Sequence, residues 1–167
     1  VTLAAFILTL VTVQRLGELI LSRYNTAKLL ARGAIEIAPG HYPLIVATHA
    51  AWLLALWAWG RDQNVDFVAL SVFILLQVFR FWVLATLGPR WSTRIIVLPD
   101  APMVTSGPYR YLSHPNYAIV VAEIAVLPLA LHLYLLALVF TILNALVLGI
   151  RIRAETRALA TVRERRP

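Results

Sequence analysis

The sequence predicts an all-α integral membrane protein with about five transmembrane helices. The last two form a helical hairpin, and a C-terminal helix continues into the cytoplasm. Three observations lead there. Of 167 residues, 60% are hydrophobic and 14% charged, with a mean hydropathy of +0.78, where a soluble domain carries roughly 25% charged residues. Apolar runs lie near residues 2–22, 43–60, 66–87, 117–131 and 134–150, and a spanning helix needs about 20 mostly apolar residues. The basic residues gather in alternate connections. The length suits one compact domain over 1–167, with no second.

The first run carries Arg15 and Glu18 and lacks a basic flank and a small-residue cleavage site. It is therefore expected to be a span rather than a signal peptide. The second and third runs are long enough to cross. The fourth and fifth are short and separated only by Leu131-His132-Leu133, with Pro128 nearby, which predicts a tight hairpin. Arg23, Lys28 and Arg32 lie in the connection 23–42. Arg90, Arg94 and Arg110 lie in 88–116, and Arg151, Arg153, Arg157, Arg163, Arg165 and Arg166 in the tail. With five alternating spans these segments share one side. The other side holds only Arg61, offset by Asp62 and Asp66. Positive charge marks the cytoplasmic side, so the N-terminus is expected outside and the C-terminus in the cytoplasm, in a bacterial cytoplasmic membrane. The net charge of +7 is accounted for by topology and anionic lipid, without nucleic acid.

Several chemistries are excluded. There is no cysteine, so no disulfide, thiolate metal site or cysteine nucleophile. His41, His49, His114 and His132 show no ligand spacing, so no metal is expected. Seven glycines include no G-x-G-x-x-G, which removes a Rossmann-type site.

Polar groups inside the runs then stand out. Arg15 and Glu18 share one helix face at i,i+3. Arg80, near Gln77, lies in the third run and Glu123 in the fourth; His49 lies in the second, with His41 just before it. Ionisable groups in spans pair with one another or face a cavity. Both readings stand for Arg15, Glu18, His41 and His49, which are the candidate substrate contacts. Trp57, Trp59 and Trp91 are expected to be interfacial anchors.

The block Thr105–Tyr117 is polar and turn-forming in an otherwise apolar chain. Pro115 suits the first position of a helix, and the residue before a proline avoids helical geometry, which places His114 at the cap. The exposed N–H groups of such a start attract anions. Arg151 and Glu155, four apart, share a face of the last helix. A hairpin brings them back beside His114 and Tyr117. Segments 94–117 and 151–159 therefore form the candidate site.

The run Met103-Val104-Thr105-Ser106-Gly107-Pro108-Tyr109-Arg110-Tyr111, followed by His114-Pro115-Asn116-Tyr117 and by Arg151, Glu155 and Leu159, resembles the isoprenylcysteine carboxyl methyltransferase family of membrane enzymes. The motifs cover roughly residues 90–160. Gln14-Arg15, Glu18, Arg23, Asn25, Gly33-Ala34-Ile35-Glu36 and His41-Tyr42 further resemble a bacterial subgroup. It includes enzymes that methylate alkylpyrone-type polyketides made by neighbouring type III synthases. The resemblance implies S-adenosyl-L-methionine as methyl donor, with contacts at Met103, Val104, Tyr109, His114, Pro115, Asn116, Tyr117 and Glu155, and also at Arg94. It implies that Arg151 meets the oxygen anion of a lipophilic acceptor, as the catalytic residue. A functional link to a type III polyketide synthase follows from the subgroup. Two positions depart from the family pattern: Ser113 stands where an arginine is common before His-Pro, and Thr156 stands where a second glutamate is common. Other classes remain open at this point: a phospholipid or amine N-methyltransferase, a non-catalytic membrane scaffold, or a small transporter.

Overall fold

In the computed structural model, which describes residues 1–37, 39–99 and 101–164, the chain folds into five helices. They are α1 (Leu3–Ala31), α2 (Tyr42–Gly60), α3 (Phe67–Leu87), α4 (Pro115–Ala130) and α5 (Tyr134–Glu164). The side chains of His41 and 157–164 lie outside the description, as do Arg165 and Arg166. The expected contributions of His41, Arg157, Leu159 and Arg163 therefore fall outside the described residues.

The expected five-helix membrane architecture is present, with two differences in length. α1 is 29 residues long and runs well past residue 22, because nothing in 23–31 breaks a helix until Gly33, at φ 86°. α5 is a single helix of 31 residues, and its apolar part, Tyr134–Thr156, is long enough to span by itself. Only α4, at 16 residues, stays short. It reaches about 24 Å at 1.5 Å per residue.

The buried stripe of α1 shows how sequence divides the bundle. Ala4, Ile7, Leu8 and Val11 repeat at helical spacing, and Glu18, Ser22, Asn25 and Thr26 continue the same face. The apolar end of the stripe meets Trp52 and Leu56 of α2, Phe73 of α3, and Ile124, Leu127 and Leu131 in one core. Trp52 Nε1 donates to the Ile124 carbonyl at 3.2 Å. Asp66 caps α3 by accepting from the amides of Val68 at 2.8 Å and Ala69 at 3.0 Å, while its own amide reaches the Ala130 carbonyl at 2.8 Å. Turn and helix starts are thereby locked at this end. Outward faces stay apolar, with Leu54, Phe67, Val68, Leu135 and Leu146 exposed, which a bilayer covers without unsatisfied polar groups.

At the other end the connections are longer. β1 (Ile35–Glu36) and β2 (Ile96–Val97) pair antiparallel, with Ile35 opposite Val97. The turn Gly107–Arg110 packs against α3. Gly107 has φ 57°, and an added Cβ would stand 2.5 Å from Thr86 Oγ1. Gly107→Ala is expected to destabilise the protein by about 1–3 kcal/mol, read as a lowered melting temperature in detergent. An unchanged melting curve would show that this turn is not held against α3.

The candidate functional site

The polar end of the α1 stripe opens into a cavity of about 240 Å³. Its walls come from all five helices and from Trp91 and Thr93 in the connection after α3.

On one side lies a charged network. Glu123 is fully buried and accepts from Arg15 at 2.8 Å, Gln77 at 2.8 Å and Arg80 at 2.7 Å. Glu18 accepts from both Nε and an Nη of Arg80 at 2.5 Å, from Gln14 at 3.0 Å and from Arg15 at 3.3 Å. Two arginines therefore meet two carboxylates, and the formal charge sums to zero. A buried charge needs such pairing to be tolerated. Arg15 and Glu18 do pair with each other, as one of the two sequence readings has it, but within a larger group that includes Arg80 and Glu123.

On the opposite side, Tyr117 joins the two expected halves. Arg151 Nε donates to the Tyr117 hydroxyl oxygen at 2.9 Å, and that hydroxyl donates to Glu155 Oε2 at 2.9 Å. Arg151 and Glu155 thus do not bond each other; the phenol links them. A nitrogen of Arg151 donates to the Thr93 carbonyl at 2.7 Å. Its other terminal nitrogen has no bonding partner among the described residues. The His114 ring stacks on Tyr117 with centroids 5.2 Å apart and planes 10° from parallel. His114 is the cap of α4 and Pro115 its first residue, the positions the proline rule gives.

Thr93 fixes the geometry between these sides. Its amide donates to Ser22 Oγ at 2.9 Å, its hydroxyl lies 2.7 Å from Ser22 Oγ and 3.1 Å from the Tyr42 hydroxyl, and its carbonyl holds Arg151. Asn25 supports the same loop by donating to the Trp91 carbonyl at 2.8 Å. α1, α2 and the α3–α4 connection are thereby tied to the guanidinium of α5.

Four buried polar atoms on cavity-lining residues have no protein partner: Arg15 Nε, Trp91 Nε1, and one amide end each of Asn116 and Asn144. Leaving such atoms unmet is costly, and Arg15 Nε and Trp91 Nε1 are donors only.

Other predicted residues fall around this centre. Tyr109 is half-buried; burial, with the Glu155 carboxylate nearby, pushes its phenol up to about 12, so it remains a donor O–H at neutral pH. Arg94 is tied to Glu36 at 2.8 and 3.0 Å and lies over the Tyr42 ring at 4.5 Å; it does not line the cavity. Met103 is 84% exposed and Val104 half-buried, both outside the lining. His49 lines the cavity, with Nδ1 2.9 Å from the Ile45 carbonyl. Of the expected anchors, Trp59 is exposed. Trp57 instead donates to Thr12 Oγ1 at 3.0 Å, and Trp91 is a buried wall of the cavity. Ser22, Thr93 and Asn144 join the site without being expected there, and Gln14 entered only through the subgroup resemblance. The one available signal was a polar residue in an apolar run, as at Asn144.

The comparisons with known proteins fit this arrangement. The model of the isoprenylcysteine carboxyl methyltransferase (ICMT) family matches residues 68–161, which contain α3, α4, most of α5 and the Tyr117–Arg151–Glu155 group. A Bacillus subtilis (strain 168) relative, "Uncharacterized protein YpbQ", is 37% identical over 158 residues, covering 92% of this chain and 94% of that protein. A Haemophilus influenzae (strain Rd) protein, also described as uncharacterized, is 28% identical over 152 residues, covering 87% and 88%. No solved structure matches. With a membrane-spanning helical fold and a family match over more than half its length, the chain belongs to the isoprenylcysteine carboxyl methyltransferase family and is a multi-pass membrane methyltransferase.

Proposed function

We propose that this protein is an S-adenosyl-L-methionine-dependent O-methyltransferase acting at the membrane interface on a lipophilic, acidic acceptor. The observation that carries the reading is the Arg151–Tyr117–Glu155 relay at the rim of a polar-ended cavity inside an apolar bundle. The two substrates of such a reaction differ in solubility, and the two regions of the site differ in the same way.

The residues at the rim fit the donor. Glu155 spends one oxygen on Tyr117, which leaves acceptor capacity for hydroxyl or ammonium groups. One amide end of Asn116 is buried without a partner. In the first turn of α4, Pro115 has no N–H and the amides of Tyr117 and Ala118 donate to the His114 carbonyl, which leaves the Asn116 amide for a carboxylate. When bound, the donor would supply an electrophilic methyl group on a sulfonium. His114, Pro115, Asn116, Tyr117, Tyr109 and Glu155 would hold it, with Arg94, Met103 and Val104 in the outer part of the same segment. Arg151 would orient the acceptor's oxygen with its unoccupied nitrogen, since its other two groups are fixed by Tyr117 and Thr93. Positioning of this kind supplies much of the rate in a displacement reaction.

The acceptor would lie in the cavity, near Arg15, Glu18 and His49, with His41 at the entrance to α2. Its class on this reading is an alkylpyrone-type polyketide hydroxyl or an isoprenylcysteine-type carboxylate, and a type III polyketide synthase is the partner that would provide the former. The basic connections favour a cytoplasmic site in a bacterial inner membrane, with the N-terminus outside.

Calorimetry with S-adenosylhomocysteine on the detergent-solubilised protein tests the donor half. Wild type is expected to bind. Glu155→Ala should weaken binding by about 10- to 100-fold, the worth of a charge-assisted hydrogen bond. Equal affinity in the variant would remove Glu155 from the site, and no binding to wild type would remove the function.

A further inference from the structure

We propose that His49 is the proton acceptor for the methyl acceptor. The latter enters the cavity from the bilayer as an uncharged, weakly acidic O–H on a lipid tail and is ionised inside by transfer to Nε2. This rests on the reading above that the cavity holds the acceptor.

The route comes first. Leu16 of α1 lines the cavity yet is 56% exposed, and Ala50 of α2 also lines it and is exposed. The cavity therefore reaches the lipid-facing surface between these helices. A charged head crossing hydrocarbon is strongly disfavoured, so an acid entering by this route arrives with its proton.

The proton then needs a place. Arg15 and Glu18 of α1, Tyr42 of α2, Arg80 of α3, Tyr117 of α4 and Arg151 of α5 share the cavity lining with His49, and Glu123 of α4 acts on it electrostatically from behind that lining. Both oxygens of each carboxylate already accept from arginine or glutamine side chains. The Tyr117 hydroxyl is committed to Glu155, and the Tyr42 hydroxyl on His49's own helix to Thr93. His49 differs from these groups. A carbonyl only accepts, so Nδ1, 2.9 Å from the Ile45 oxygen, carries the hydrogen. The neutral ring then has its lone pair on Nε2, which has no bonding partner among the described residues.

The transfer leaves the net charge of the cavity unchanged. Arg15 and Arg80 cancel Glu18 and Glu123. The imidazolium and the oxyanion that form offset each other in the same way, with Arg151 as the remaining cation of the lining. In the transfer the acceptor's O–H bond breaks with its electron pair left on oxygen, and an N–H bond forms at Nε2. The resulting oxyanion has the remaining terminal nitrogen of Arg151 available in the same cavity.

The test needs no methyl donor. The probe is 2-dodecyl-4-nitrophenol, whose phenolate absorbs visible light and whose phenol does not. It is added to detergent-solubilised full chain at a pH where the free probe is protonated. Wild type is expected to develop the phenolate band on binding. His49→Gln, and His49→Asn, which keeps an amide donor for the Ile45 carbonyl, should lose about tenfold or more of that band, equivalent to at least one pKa unit. An unchanged band in both variants overturns the proposal, as does wild type that binds the probe only as phenol. A second measurement uses wild type alone: titration calorimetry in two buffers of different ionisation enthalpy should detect no proton released to the buffer. A released proton overturns the proposal. Failure here with intact S-adenosylhomocysteine binding sinks the role of His49 alone, whereas failure of that binding sinks the donor reading.

Discussion

Arg151→Ala is expected to lower methyl transfer by roughly 100- to 1,000-fold, the loss seen when one fixed donor to a reacting oxygen is removed. The guanidinium has three nitrogens in one plane. Nε is used by Tyr117 and one terminal nitrogen by the Thr93 carbonyl, so the third is aimed by the first two rather than by its own flexible stem. A lysine has a single compact charge and cannot reproduce the fork. Arg151→Lys is therefore expected to stay within about tenfold of the alanine variant, a residual charge effect of near 1.4 kcal/mol. The expected split is a larger fall in kcat than rise in KM, because orientation rather than grip is lost. The assay is transfer of labelled methyl from donor to extracted membrane lipid. Lysine restoring wild-type turnover would mean that charge alone matters and that the Thr93–Tyr117 clamp has no part in the reaction.

The clamp itself was only partly legible in the sequence. The number and placing of the spans follow from long apolar runs, and the start of α4 from Pro115, since both are local signals. The return of Arg151 and Glu155 to Tyr117 follows from a short hairpin. Other parts depend on which helix faces which. Residues 23–31 look like a connection because they lack apolar character; they are helical because Ser22, Asn25 and Thr26 bury against Trp91, Ser92 and Thr93 instead of lipid. Trp91 has the composition of an interfacial anchor, and only the fold of its connection turns it inward. Arg80 and Glu123 are conspicuous in sequence. Their meeting with Arg15 and Glu18 depends on the relative heights of α1, α3 and α4, which no single-helix pattern contains.

Glu123→Ala should be the most damaging single change to stability. The carboxylate is the only acidic group that contacts both Arg15 and Arg80 from α4, and it has no exposed surface. Its removal leaves two buried cations sharing Glu18, already bonded by both. Breaking a buried ion group in this way costs about 3–5 kcal/mol, a large part of the roughly 5–15 kcal/mol that holds a domain folded. At about 2–4 °C per kcal/mol for a chain of this size, the melting temperature in detergent should fall by about 6 to 20 °C. Charge imbalance, rather than lost volume, is the expected cause. Glu123→Gln paired with Arg15→Gln returns the group to one cation and one anion while keeping hydrogen-bonding ends in place, so the double variant should recover at least half of the loss. A Glu123→Ala protein melting within about 2 °C of wild type, less than the effect of one kcal/mol, would show that water or lipid headgroups already solvate these arginines and that the network is not what joins α1, α3 and α4.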